Sequence, residues 1–109
     1  MMADIVPYLE QICARLAQPE MRAAFRGFRK TLQFTFPDLR RDFTLSIGED
    51  GSATLAEQTV PHPDVKVTAN SDTLAGIIEH RVNPIQAYIT RKLKVTGQME
   101  DLLRLQKLL

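Results

Sequence analysis

Five short stretches of this chain alternate apolar and polar residues at every second position, and none of them is apolar on both faces. Leu32, Phe34 and Phe36 alternate with Thr31, Gln33 and Thr35, and Phe43, Leu45 and Ile47 with Thr44 and Ser46. Ala53 and Leu55 alternate with Ser52, Thr54 and Ala56, Val65, Val67 and Ala69 with Lys66 and Thr68, and Leu93 and Val95 with Lys92, Lys94 and Thr96. A period of two is that of a β-strand. Strands with one apolar and one polar face form a sheet that helices cover on one side and water wets on the other. A doubly wound sheet, apolar on both faces, is excluded. The alternation predicts a solvated face carrying Thr35, Thr44, Ser46, Thr54, Lys66, Thr68 and Lys94.

Between these stretches the apolar period lengthens to that of a helix. Ile5, Leu9, Ile12 and Leu16 mark one helical face, with Asp4 as a candidate cap and Pro7 in the first turn. Pro19 ends that helix and opens a second, with Met21 and Phe25, which stops near Gly27. Asp50-Gly51 is a hairpin signal. Ser71 or Asp72 can start a helix carrying Leu74, Ile77 and Ile78, and Asn83-Pro84 opens one carrying Ile85, Tyr88 and Ile89. After Gly97 a last helix has Glu100 and Asp101 in its first turn and Arg104 and Lys107 later, the polarity its dipole favours. The order is α-α-β-β-β-β-α-α-β-α, an α+β class. The helical crossover predicts that the last two strands are parallel if they are neighbours.

With 109 residues the chain is expected to form one domain, residues 1–109, with a single core. A net charge of +1 and no aromatic interleaving of basic residues argue against a nucleic-acid partner. The charge is uneven: residues 1–41 hold seven basic and four acidic side chains, 42–72 one and six, and 73–109 six and three. The basic residues Arg22, Arg26, Arg29 and Lys30, and Arg91, Lys92 and Lys94, form either a solvated face or a contact for anionic headgroups. The lone Cys13 suggests a reducing compartment. No targeting or spanning segment is recognisable, and a cytoplasmic location is expected.

Catalytic chemistry finds little to work with. His62, between two prolines, reads as a loop residue, and His80, at a helix end, as a partner of the helix dipole. Neither has metal-ligand spacing, and no metal or cofactor is expected. The glycines make no phosphate loop, the serines no nucleophile elbow, and Asp38, Asp42, Glu49 and Asp50 read as a solvated cluster. The chain is not expected to be an enzyme. The last helix, with Met99, Leu102, Leu103, Leu105, Leu108 and Leu109, has a wider apolar stripe than one packing face needs. Either it closes an ordinary core and a dimer contact, or it helps line an apolar cavity.

Three segments in order carry a resemblance. Residues Pro63 to Leu74 (PDVKVTANSDTL) resemble the fourth strand and following cap of the sterol carrier protein-2 domain family. Asn83-Pro84-Ile85-Gln86-Ala87-Tyr88 resembles its N-P-x-x-A-aromatic helix, and Lys92 to Met99 (KLKVTGQM) resembles its closing K-L-K segment. Residues 1–62 match in architecture and in the hairpin signal. Two positions depart from the pattern: Arg91 stands where the family commonly has Gly, and Gln98 where it has Asp or Asn.

The resemblance implies a five-stranded, mostly antiparallel sheet with helices over one face, enclosing an apolar cavity. The expected cavity residues are Phe34, Phe36, Leu45, Ile47, Leu55, Val67, Ile77, Ile85, Tyr88, Ile89, Met99, Leu102, Leu103 and Leu105. The implied function is carriage of a fatty acid, acyl-CoA, sterol or isoprenoid-like lipid between membranes or enzymes, by a monomer or weak homodimer, with an anionic membrane surface as a further partner. Two alternatives stand beside it. One is an accessory protein presenting a lipid intermediate, such as a quinone precursor, to biosynthetic enzymes. The other is a dimerisation module with a closed cavity.

Overall fold

The computed structural model describes residues 5–105. The candidate cap Asp4, the basic Lys107, and Leu108 and Leu109 of the terminal stripe lie outside them. The elements are α1 (Val6–Leu16), α2 (Pro19–Ala24), β1 (Thr31–Phe36), β2 (Arg41–Ile47), β3 (Ala53–Ala56), β4 (Val65–Ala69), α3 (Ser71–Ile78), α4 (Pro84–Ile89), β5 (Leu93–Thr96) and α5 (Met99–Leu105). The ten elements follow the expected order.

The five strands form one sheet in the order β3-β2-β1-β4-β5. β1 pairs antiparallel with β2, β2 with β3 and β4 with β5, while β1 and β4 are parallel. The expected parallel arrangement of the last two strands is therefore corrected. Its cause is the helical pair between them. α3, about 12 Å long, leaves the end of β4, and α4, about 9 Å, brings the chain back to the same end. β5 then starts beside the last residue of β4, with Leu93 opposite Ala69. Gly76 makes the return tight: a Cβ there would lie 2.6 Å from Val82 Cγ2, and the Gly76 carbonyl accepts from the amides of Arg81 and Val82.

On the apolar face, α1 sets Ile5, Leu9, Ile12 and Leu16 against Leu32, Phe34, Phe36, Phe43, Leu45 and Ile47 of the sheet, with Phe25, Phe28, Leu74 and Ile78 beside them. The Phe25 and Phe28 rings meet edge to face at 5.3 Å. The hairpin β2–β3 turns at Gly51, whose φ of +85° needs glycine, and the turn packs so closely on α2 that a Cβ there would meet Arg22 O at 2.6 Å. Asp50 holds the turn by accepting from Ser52 N and Oγ.

The polar face departs from expectation at its centre. Thr54, Lys66 and Lys94 are exposed and Thr35, Ser46 and Thr68 half-buried, but Thr44 is 2% exposed. The reason is topological. β3 lies at one edge and β4 beyond β1, so residues 57–64 must cross β2 and β1 on the side the helices leave open. Thr44 Oγ1 donates to Gln58 O (2.9 Å), and Val60 N donates to Gln33 Oε1 (3.2 Å). Helices cover one face, and this connection covers the middle of the other.

Asp38 is a third correction. It is not simply solvated: its carboxylate accepts from Ser71 N (3.0 Å) and Ser71 Oγ (2.6 Å), capping α3 from the β1–β2 turn. Neither Ser71 nor Asp72 is the N-cap, a position held by Asn70 without a side-chain bond. Asn83 caps α4 as expected, accepting from the amides of Ile85 and Gln86.

Candidate functional site

The strand register lines up one row of apolar side chains across the sheet. Phe43 stands opposite Phe34, Phe34 beside Val67, and Val67 opposite Val95. Cover falls along this row. Phe43 is 2% and Phe34 5% exposed, whereas Val67 and Val95 are only half-buried. The two valines lie between two separate apolar clusters and pack against both. One is the main core. The other is Ala69, Ile77, Ala87 and Leu93. α3 spans the pair, giving Leu74 and Ile78 to the main core and Ile77 to the second, and α5 adds Leu102 and Leu105 at the margin of the main core. The Val67–Val95 pair is thus a thinly covered apolar floor on the helical face of the sheet.

The fourteen residues expected around a cavity divide into three sets. Phe34, Phe36, Leu45, Ile47 and Ile77 are buried core. Leu55, Val67, Leu102 and Leu105 are half-buried at the edge of the main core. Ile85, Tyr88, Ile89, Met99 and Leu103 are exposed, from 56% to 69%. α4 turns Ala87 inward, and α5 turns Asp101 inward, so the 100° step per residue sends Ile85 and Ile89, and Met99 and Leu103, outward. The structure gathers the first two sets around the sheet and leaves the third on helix surfaces. Val95 was not among the expected residues. Its signal is its place opposite Val67, which only the strand pairing reveals.

α5 is held by polar as well as apolar contacts. Asp101, 7% exposed, faces Lys30 Nζ at 3.5 Å, and the Arg104 guanidinium lies 5.5 Å over the Phe28 ring. Gly97 passes close to the start of β4, where a Cβ would be 3.1 Å from Asp64 O. Ion pairing also divides the basic residues: Arg22 pairs with Asp50 and Lys30 with Asp101. Arg91, Lys92 and Lys94 instead line an open cleft of about 410 Å³ with Thr68 and Asn70, where Asp72 is the one acidic side chain.

The position where the resembling family carries Gly keeps a glycine-like backbone. Arg91 has φ +63°, and the amides of Arg91 and Lys92 bond to the carbonyls of Tyr88 and Ala87, closing α4 as a Schellman motif. His80 ends α3 in the same way, with φ +62°. Among the described residues no group of three or more His, Cys, Asp or Glu is placed to hold a metal ion. Burial, reinforced by the Glu10 carboxylate, pushes the Cys13 thiol up, away from nucleophilic use near neutral pH.

Fold and floor together define a class: a small α+β domain with a 3-2-1-4-5 sheet, a helical hairpin before its last strand, and an apolar face left thinly covered near one edge. The sequence agrees with the architecture. Residues 9–109 match the SCP-2 sterol transfer family, and the chain belongs to that family.

No curated protein matches the chain in sequence. Among solved structures, sterol carrier protein domain 2 of Helicoverpa armigera is similar with a TM-score of 0.75 at 19% identity, over 99% of this chain and 91% of that one. Palmitated SCP2L2 of Aedes aegypti is similar with a TM-score of 0.72 at 16% identity, over 98% and 93%. The sec-alkylsulfatase Pisa1 of a Pseudomonas species is similar with a TM-score of 0.76 at 24% identity, over 94% of this chain but only 16% of the sulfatase. At these identities the likeness is one of fold, and this chain spans about a sixth of the enzyme.

Proposed function

We propose that this chain is a non-catalytic lipid carrier that takes a fatty acyl, sterol or isoprenoid-like ligand over the Val67–Val95 floor and passes it between membranes or enzymes in the cytoplasm. The observation that carries the reading is that floor, the thinly covered part of an otherwise buried apolar face, in a chain of the SCP-2 sterol transfer family. The Aedes aegypti relative is described as palmitated, which supports an acyl chain as one ligand. Apolar burial supplies the driving force, about 0.8 kcal/mol per CH₂ removed from water, so a long chain binds with little polar specificity. α5 is the movable wall. It follows closely on Gly97, and its inner residues Leu102 and Leu105 border the main core while Met99 and Leu103 stay outside. No helix among the described residues is long and apolar enough to cross a membrane.

Native mass spectrometry of protein purified without added lipid tests the reading. A co-purifying hydrophobic mass supports carriage. A clean ligand-free mass with a stable dimer supports the closed dimerisation module instead. The identity of a co-purifying mass also separates general carriage from the narrower role of presenting one biosynthetic intermediate.

A further inference from the structure

We propose that the cleft between the end of β4, the start of α3 and the entry to β5 is a second binding site, one that takes the phosphate group of a soluble phosphorylated small molecule. The proposal goes beyond the carrier reading and does not depend on it. Three cations, Arg91, Lys92 and Lys94, line this cleft of about 410 Å³. Among the described residues none of their side chains has an ion pair or a ring contact, whereas Arg22, Lys30, Arg41 and Arg81 are each paired with a carboxylate. Thr68, opposite Lys94 in the strand register, Thr73 and Asn70 add two hydroxyls and an amide to the same walls. Asp72 is the acidic side chain of the cleft, and it is turned back to its own helix, where Oδ1 accepts from Thr73 N (3.0 Å). The cations outnumber it, and the recess is positive.

Arg91 carries the argument furthest. Its φ of +63° is a backbone conformation that glycine adopts freely and an L side chain resists, and the resembling family commonly has Gly there. An arginine held in a strained conformation, with no charged partner among the described residues, is accounted for by a ligand outside the chain. A guanidinium fork pairs with two phosphate oxygens at once, and lysines add point charge. A recess lined by one sign of charge also concentrates anions. The start of α3 is not the attraction, because Ser71 N is already bonded to Asp38 Oδ1 (3.0 Å) and Thr73 N to Asp72 Oδ1. Size and position narrow the class. The cleft falls within the roughly 300–1,000 Å³ of small-molecule sites, with room for a phosphate and the body that bears it. Its walls carry no aromatic ring on which a nucleic-acid base would stack. Thr68 and Lys94 belong to the polar side of β4 and β5, and Val67 and Val95 to the helical side, so the phosphate is not the head of a chain lying on the floor.

Amide NMR of the full chain, titrated with inorganic phosphate and then with phenyl phosphate as a soluble monoester, tests the site. Both are expected to shift the amides of residues 68–73 and 91–94 saturably, phenyl phosphate at least as tightly, whereas sodium chloride at matched ionic strength gives no saturable shift. Arg91→Gly suits the backbone at this position and is expected to weaken phosphate binding about tenfold, and Lys92→Ala with Lys94→Ala by at least as much. Lys66→Ala removes an exposed cation of β4 outside the cleft and is expected to leave binding unchanged. Saturating phosphate is expected to leave palmitate uptake as it was, so either site can fail without the other. Equal shifts with chloride, or equal losses in Lys66→Ala and Arg91→Gly, reduce the cleft to diffuse surface charge and overturn the proposal. Competition between phosphate and palmitate overturns it as well, by making the cleft the polar end of the lipid site. Binding to phosphatidylglycerol vesicles with no response to either soluble probe assigns the cations to a bilayer and overturns it too.

Discussion

A single hydroxyl shows what alternation along a strand leaves unsaid. Thr44 belongs to the polar face by period, as expected, yet its Oγ1 donates to Gln58 O beneath the crossing connection. Replacing it with Asp is expected to cost about 3–5 kcal/mol, because the charge is buried without a partner. Thr44→Val keeps the shape, orphans the Gln58 carbonyl and is expected to cost about 1–2 kcal/mol. Urea unfolding of the two variants checks both, and a change of only a few tenths for Thr44→Asp would mean that the connection lifts away at little cost. Arg91 makes the opposite prediction. Its φ of +63° is a conformation that L side chains resist, so Arg91→Gly is expected to stabilise by about 1 kcal/mol, read from the same urea midpoint. The departure from the family's glycine was legible in the sequence. The retained backbone conformation was not, because a Schellman closure is a property of the hydrogen bonds and not of the residue that occupies it.

At the scale of elements, the order of helices and strands could be read from their periods and prolines, and the cap of α4 from Asn83. What could not be read was direction. The pairing of β4 with β5 depends on the α3–α4 return around Gly76, and a count of helices between strands does not say at which end the chain comes back. Cover was equally hidden: the breadth of apolar residues on α4 and α5 was visible, but which of them face inward depends on where Ala87 and Asp101 dock. The Lys30–Asp101 pair is the contact most specific to α5. Lys30→Ala leaves a nearly buried carboxylate without its cation and is expected to cost about 1–3 kcal/mol of α5 docking. Hydrogen exchange is the check. Amides 98–105 should exchange faster in the variant while those of β2 keep their protection, and palmitate should slow the α5 amides more than those at 43–47. If α5 already exchanges as slowly as β2 in the free protein and neither change moves it, the wall is fixed and entry lies elsewhere.

For the whole molecule, the sheet serves two purposes with one face. From Phe43 to Val95 the same row passes from fully packed core to thinly covered floor, and Phe34 stands at the transition. Phe34→Ala is expected to cost about 3–5 kcal/mol, as for a ring packed in a core, measured by thermal or urea unfolding. A much smaller cost accompanied by lost lipid uptake would move Phe34 from the core to the ligand wall. The central claim is that a lipid lies on the floor formed by Val67 and Val95. Methyl NMR of valine- and isoleucine-labelled protein with palmitate tests it most directly. The account predicts intermolecular nuclear Overhauser contacts from the acyl chain to the Val67 and Val95 methyls, whereas contacts confined to Ile85 and Ile89 on the outer face of α4, with both valines unperturbed, would contradict it.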